Sequence, residues 1–143
     1  MWRLHKDAVK VDLLAQAPEI SIIDDDDSVR ISTSLLVRSL GFITHTFASA
    51  KDFLDSPHLT GTGCLIVDVQ MPAMTGIELQ DLLRAQGHRV PIIFISAFPD
   101  QSIRTQALEG GALCFLSKPF QPATLIECIN LALSRRDEAK APD

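Results

Sequence analysis

Residues 20–30 read ISIIDDDDSVR: a short apolar run, Ile20–Ile23, followed at once by four aspartates, Asp24–Asp27. An apolar run this short, without strict alternation, reads as a strand buried on both faces of a parallel sheet. Cys64–Val67, Ile92–Ile95 and Ala112–Leu116 read the same way. Phe42–Phe47 alternates instead, with Phe42, Thr44 and Thr46 set against Ile43, His45 and Phe47, which suits an edge strand. The four aspartates pose the chemical question. Carboxylates this crowded repel one another, and burial makes the repulsion worse. Water, a helix N-terminus or a metal ion has to compensate.

Helix patterns fill the gaps between these runs. Val29, Leu36 and Leu40 share a face, with Leu35 nearby, and Gly41 stops that helix. Ser49 before Ala50–Leu54, with Asp52 at the third helical position, reads as a shortened capping box. Ile77, Leu79, Leu82 and Leu83 predict a third helix that ends near Gly87. Ile103, Ala107 and Leu108 predict a fourth, stopped by Gly110-Gly111. Pro122 suits the first turn of a fifth, carrying Leu125, Ile126, Ile129, Leu131 and Leu133. Strands and helices in strict alternation predict a doubly wound α/β sheet with right-handed crossovers. The domain is expected over 19–136, with residues 1–18 an N-terminal extension and 137–143 a tail or the start of a linker. Within the extension, Leu4–Leu14 has a helical look that suits docking on a partner.

Composition narrows the classes. A chain of 143 residues, 46% of them apolar, is long enough for one domain with a real core. The net charge of −5 and the lack of a dense Lys/Arg block argue against a dedicated nucleic-acid surface. No apolar run approaches the roughly 20 residues that a membrane helix needs. The first residues carry positive charge, but Asp12 interrupts the apolar stretch, so no signal peptide is expected. Cys64, Cys114 and Cys128 are odd in number and lack CxxC spacing, as expected of reduced, mostly buried thiols in a cytoplasmic protein. His5, His45, His58 and His88 are scattered, and none pairs at the spacing of a zinc site on one helix. A histidine-based metal site is therefore not expected.

In open α/β sheets, sites form beyond the carboxyl ends of the strands. The first strand ends on Asp24-Asp25, the third on Asp68, the fourth on Ser96, and the fifth is followed by Ser117-Lys118-Pro119. Carboxylates at neighbouring strand ends offer the hard oxygen ligands that Mg²⁺ prefers. Bound Mg²⁺ would offset the aspartate repulsion and let an acidic pocket accept a phosphoryl group. Lys118 adds a positive charge for a phosphoryl oxygen and Ser96 a hydroxyl. Asp68 lies between them and is suited to be the nucleophile, because carboxylates do form acyl phosphates. Read alone, each residue has an ordinary role: Asp24–Asp27 as helix-start acids, Lys118 as a surface lysine, Ser96 as a turn hydroxyl, Phe115 as core.

Four motifs in order, IIDDDDSVR, IVDVQMPAMTG, FISAF and FLSKPF, resemble those of response-regulator receiver domains of two-component signalling. The resemblance spans about residues 19 to 136 and is nearest in flavour to receivers of LuxR-type transcription factors of the nitrogen-fixation regulator kind. It implies a flavodoxin-like, five-stranded sheet in the order 2-1-3-4-5 with five helices. It implies that Asp68 accepts phosphate from the phosphohistidine of a sensor kinase. Asp25 and Asp68 would ligate Mg²⁺ directly, with Asp24 through water and Gln70 through its backbone carbonyl. Lys118 would pair with the phosphoryl group, across a cis bond to Pro119. Ser96 would be drawn toward the phosphoryl group while Phe115 changes rotamer, and Met71-Pro72 and Gly76 would shape the loop after Asp68.

The output surface implied is the fourth helix, fifth strand and fifth helix, roughly residues 100–136. It would serve a second copy of the chain or an output protein. Such a domain is a signalling phosphoacceptor rather than a turnover enzyme, although it can catalyse its own phosphorylation and dephosphorylation.

Two departures stand out. Four acids follow the first strand where the family has two or three, so the metal pair is either Asp24-Asp25 or Asp25-Asp26. Phe98-Pro99 puts bulk beside the site, which would slow water or phosphatase access. Competing classes fit less well. A haloacid-dehalogenase-type hydrolase wants an Asp where Gln70 stands, and a flavodoxin-type binder wants a hydroxyl-rich phosphate loop where the aspartates stand. A phosphate-independent pseudo-receiver that only binds partners is the alternative closest to the main reading.

Overall fold

The computed structural model describes residues 18–98 and 100–140. The expectations for residues 1–17, including the stretch Leu4–Leu14, lie outside the described residues, as does Pro99. Five strands and five helices alternate. They are β1 (Glu19–Ile23), α1 (Asp27–Ser39), β2 (Ile43–Phe47), α2 (Ala50–Leu54), β3 (Thr62–Asp68), α3 (Gly76–Ala85), β4 (Ile92–Ser96), α4 (Gln101–Glu109), β5 (Cys114–Ser117) and α5 (Pro122–Lys140). The strands form one parallel sheet in the order β2-β1-β3-β4-β5.

The unbroken apolar runs have a direct physical cause. Every residue of β3 and β4 is buried, because helices cover both faces of the sheet. Leu65 and Val67 point into one core with Phe53, Leu79, Leu83, Phe94 and Phe115. Cys64 and Ile66 point into the other with Ile20, Ile22, Val37, Leu125 and Ile129. The edge strand β2 has no buried residue, as suits a strand paired on one side only.

Capping residues fix the helix starts. Asp26 caps α1 and Ser49 caps α2, each accepting a backbone N–H with its side chain. Thr75 and Glu78 form a complete capping box on α3. Gly41, Gly87 and Gly111 follow α1, α3 and α4 with positive φ, the left-handed backbone that ends a helix at little cost for glycine.

Several details differ from the sequence reading. The buried face of α1 centres on Thr33 and Val37, while Leu35 and Leu40 point outward at 59% and 37% exposure. Leu108 and Leu131 are likewise exposed. In each helix the residues nearest the sheet won the core positions, and apolar neighbours a step around the helix did not. β5 begins at Cys114 rather than Ala112, because the Ala112 N–H still bonds back to the Ala107 carbonyl of the α4 turn. Helix α5 runs past residue 136 to Lys140; Glu138, Ala139 and Lys140 are good helix formers.

Candidate functional site

The carboxyl ends of β1, β3, β4 and β5 converge, and the residues following each strand form one acidic pocket. Asp24 follows β1 and is fully buried; Asp68 ends β3 and is 5% exposed. Asp25 is exposed. Carboxylate oxygens of Asp24, Asp25 and Asp68 all lie within 4.8 Å of one another. Asp26 points elsewhere: its Oδ1 accepts the Val29 N–H at 3.1 Å, as the cap of α1. The register left open by the four aspartates is thereby decided, with Asp24 and Asp25 joining Asp68. Asp27 sits in the first turn of α1 and pairs with Arg30. The four aspartates thus divide, two lining the pocket and two at the start of α1.

The backbone around the pocket is tightly fixed. Asp24 Oδ1 accepts the Asp26 N–H at 2.9 Å, and the Asp24 carbonyl accepts Arg30 Nη1 at 2.7 Å. Asp68 Oδ1 accepts the Gln70 N–H at 3.0 Å. Gly76 closes the loop that follows, donating its N–H to the Val69 carbonyl at 2.8 Å. A Cβ at this position would lie 2.7 Å from the Asp68 carbonyl and 2.9 Å from the Phe94 ring, so only glycine fits. Met71 is buried beneath the loop, and Ala73 adopts a positive φ there.

Lys118 reaches in from the far side across a cis bond to Pro119. Its Nζ lies 3.0 Å from Asp24 Oδ2 and 3.2 Å from Asp68 Oδ2. Asp24 Oδ2 is buried and, among the described residues, makes no well-aligned hydrogen bond; the Lys118 ammonium 3.0 Å away compensates its charge. Burial pushes the Asp68 carboxyl up to about 6; the Gln70 N–H opposes that, the Asp24 carboxylate adds to it, and Lys118 opposes it. Burial pulls the Lys118 ammonium down, but the Asp24 and Asp68 carboxylates outweigh it and leave its pKa raised. One lysine therefore serves two acids and leaves excess negative charge.

That excess tests whether a metal fits. Mg²⁺ is a hard cation that takes carboxylate oxygens and keeps several waters. A buried, unsatisfied Asp24 oxygen, a partly solvated Asp25 and an Asp68 held protonated to unusually high pH match such an ion. The donor set contains oxygens alone, so the residues fit the group.

Ser96 is fully buried at the end of β4, and its Oγ accepts the Phe98 N–H at 3.2 Å. Its carbonyl accepts the Lys118 N–H at 2.8 Å, tying the hydroxyl's strand to the lysine's loop. Phe115 is 6% exposed and faces the core. Two features escaped the sequence reading. Arg104 of α4 lays its guanidinium over the Phe115 ring at 5.9 Å and donates to the Phe115 carbonyl at 3.3 Å. Arg30 clamps the Asp24 backbone, although nothing in the sequence ties these two residues together. Phe98 is 69% exposed, so its ring does not cover the pocket.

Known proteins share this fold. The family model described as the response regulator receiver domain matches residues 20–130. The transcriptional regulatory protein TdiR of Thauera aromatica is 39% identical over 122 residues, covering 85% of this chain and 54% of TdiR. The response regulator protein TodT of Pseudomonas putida is 42% identical over 118 residues, covering 82% of this chain and 52% of TodT. The chain thus spans about half the length of the curated relatives it matches. Among solved structures, the response regulator StyR superposes with a TM-score of 0.80 at 40% identity, over 87% of this chain and 63% of that one. The N-terminal part of FixJ superposes with a TM-score of 0.75 at 32% identity, over 82% and 94%.

Proposed function

Because the chain belongs to the response-regulator receiver family, we propose that Asp68 is its phosphoacceptor and that a sensor histidine kinase is the donor. The observation that carries this reading is Lys118, wedged between Asp24 and Asp68 beside the exposed Asp25. In the reaction an Asp68 oxygen attacks the phosphorus of a phosphohistidine. The P–N bond breaks, an acyl phosphate forms, and the imidazole leaves with a proton. Asp68 has to be ionised to attack, and Lys118 together with bound Mg²⁺ would favour the ionised form against the burial that raises its pKa. Lys118 follows the charge from the carboxylate to a phosphoryl oxygen. Mg²⁺, held by Asp24, Asp25 and Asp68 with the Gln70 carbonyl beside them, would supply neutralisation of the phosphoryl oxygens.

The same apparatus supports self-phosphorylation from small acyl phosphates and slow self-hydrolysis, without turnover of an external substrate. Ser96 would exchange its Phe98 N–H for a phosphoryl oxygen. Phe115 would then repack beneath Arg104, altering the surface of α4, β5 and α5. A complete swing from 1:99 to 99:1 needs about 5.5 kcal/mol, more than a few charge-assisted hydrogen bonds supply. A second copy or an output protein on that surface makes up the difference. Relatives named as transcriptional regulators support an output in transcription, with DNA contact left to parts other than this acidic domain. Among the described residues no helix is long and apolar enough to cross a membrane. The free thiols of Cys64, Cys114 and Cys128 support a reducing, cytoplasmic setting.

Intact-mass spectrometry after incubation with acetyl phosphate tests this. One Mg²⁺-dependent phosphoryl adduct is expected, absent from Asp68→Ala. No adduct at any Mg²⁺ level would leave a phosphate-independent binding domain.

A further inference from the structure

At the other end of the sheet the fold assembles a second group of ligating side chains. Glu19 opens β1, His45 lies in β2, and His58 lies in the turn between α2 and β3. His45 Nε2 donates to Glu19 Oε1 at 2.6 Å, since a carboxylate can only accept. The His45 and His58 rings stack with centroids 3.5 Å apart and planes 12° from parallel. Ligand atoms of all three residues lie within 4.8 Å of one another, and all three are half-buried.

The backbones beneath these side chains are fixed. Parallel pairing sets Ser21 opposite His45 and Glu19 opposite Thr62. The turn carrying His58 is pinned at both polar groups: its N–H bonds Ser56 Oγ at 3.2 Å, and its carbonyl accepts Thr62 Oγ1 at 2.7 Å. Phe47 flanks the His58 ring, so one side of the group is apolar. At about 3.3 Å per residue, Glu19 stands roughly 16 Å down β1 from Asp24. This group shares no residue with the acidic pocket.

Two imidazoles and one carboxylate form a donor set for borderline transition ions, as in zinc sites that keep an open position for water. We propose that Glu19, His45 and His58 form a second cation site, selective for Zn²⁺-class ions over Mg²⁺. The ion replaces the proton shared by His45 and Glu19. A bound ion lies in the plane of each imidazole, and two near-parallel stacked planes offer no such common point. One ring therefore leaves the stack on binding, and His58 is the one carried by a turn rather than a strand. Bound metal would tie the β1–β2 edge to the α2–β3 turn.

The test is calorimetric titration of the full chain with ZnCl₂ while saturating MgCl₂ occupies the acidic pocket. One equivalent of Zn²⁺ is expected to bind the wild type and Asp68→Ala equally. Loss of a ligand in His58→Ala or His45→Ala should weaken it at least about tenfold. His58→Ala, altered on a surface turn, is the variant to trust if His45→Ala folds poorly by circular dichroism. With Co²⁺, visible absorption bands of a low-coordinate, nitrogen-ligated ion should appear and be lost in the same variants. Wild type that takes up no Zn²⁺, or histidine variants that bind as well as it does, would overturn the proposal.

Discussion

The two ends of this sheet are both ready for a cation, and they are built in opposite ways. At the carboxyl ends, Asp24, Asp25 and Asp68 offer hard oxygens, and a resident lysine partly fills the charge deficit. At the amino ends, His45 and His58 offer softer nitrogens and Glu19 one carboxylate, satisfied without any ion by a hydrogen bond and a ring stack. The first site is frustrated by its own charges: two buried acids share one lysine, and burial pushes one of them up to about 6. The second is at rest. A frustrated site suits a group that comes and goes with large consequence. A satisfied one binds only what competes with its internal contacts.

Asp68→Ala should break the contrast most completely. It is expected to abolish phosphoryl uptake by intact mass while leaving the histidine corner unchanged in a Zn²⁺ titration. Lys118→Ala comes next. Labelling by acetyl phosphate should slow by about a hundredfold, as for loss of one charge-stabilising donor. Without Mg²⁺ the protein should also lose about 2–3 kcal/mol in urea unfolding, less than the full cost of an unpaired buried charge because Asp68 can take up a proton. Restoration of much of that stability by Mg²⁺ would show that lysine and metal serve the same carboxylates.

Gly76→Ala follows. Its Cβ would press on the Asp68 carbonyl and the Phe94 ring, costing about 1–3 kcal/mol in the same unfolding measurement.

The pH dependence separates the two ends more finely. A carboxyl whose folded pKa is raised above its unfolded value adds stability below the unfolded value and loses it as pH rises through the folded one. For Asp68 that window runs from the ordinary carboxyl value of 3.8 to about 6. Metal-free protein should therefore lose stability by about 1 kcal/mol across this window, after discounting for solvent and Lys118. Asp68→Asn should flatten the trend in thermal unfolding of the metal-free protein. The smallest effect is expected from Phe98→Gly. The exposed ring shields little, so the phosphoryl half-life should shorten only slightly, and an unchanged half-life would end the shielding idea.

The acidic pocket was largely legible in the sequence because its residues sit at strand ends, one short motif per strand. Apolar runs fix where strands stop, and the next residue inherits a place on the rim of the sheet. Alternation of strands and helices with right-handed crossovers then limits the topology to few choices. Those local and periodic signals were enough for the sheet and for the edge character of β2, and they set Asp68, Ser96 and Lys118 on the rim where β3, β4 and β5 end. Tertiary structure decided what depends on distance through space. It split four identical aspartates into two pocket residues and two helix-start residues, since only the chain's turn after Ile23 determines which carboxylates face β3. It chose Thr33 and Val37 over Leu35 and Leu40 as the buried face of α1, because the angle of a helix on its sheet is absent from its own periodicity. It set Arg104 over Phe115 and Arg30 against Asp24. It also stacked His45 on His58, 13 residues apart with a helix between them, a meeting that strand register and one pinned turn create and no spacing rule contains.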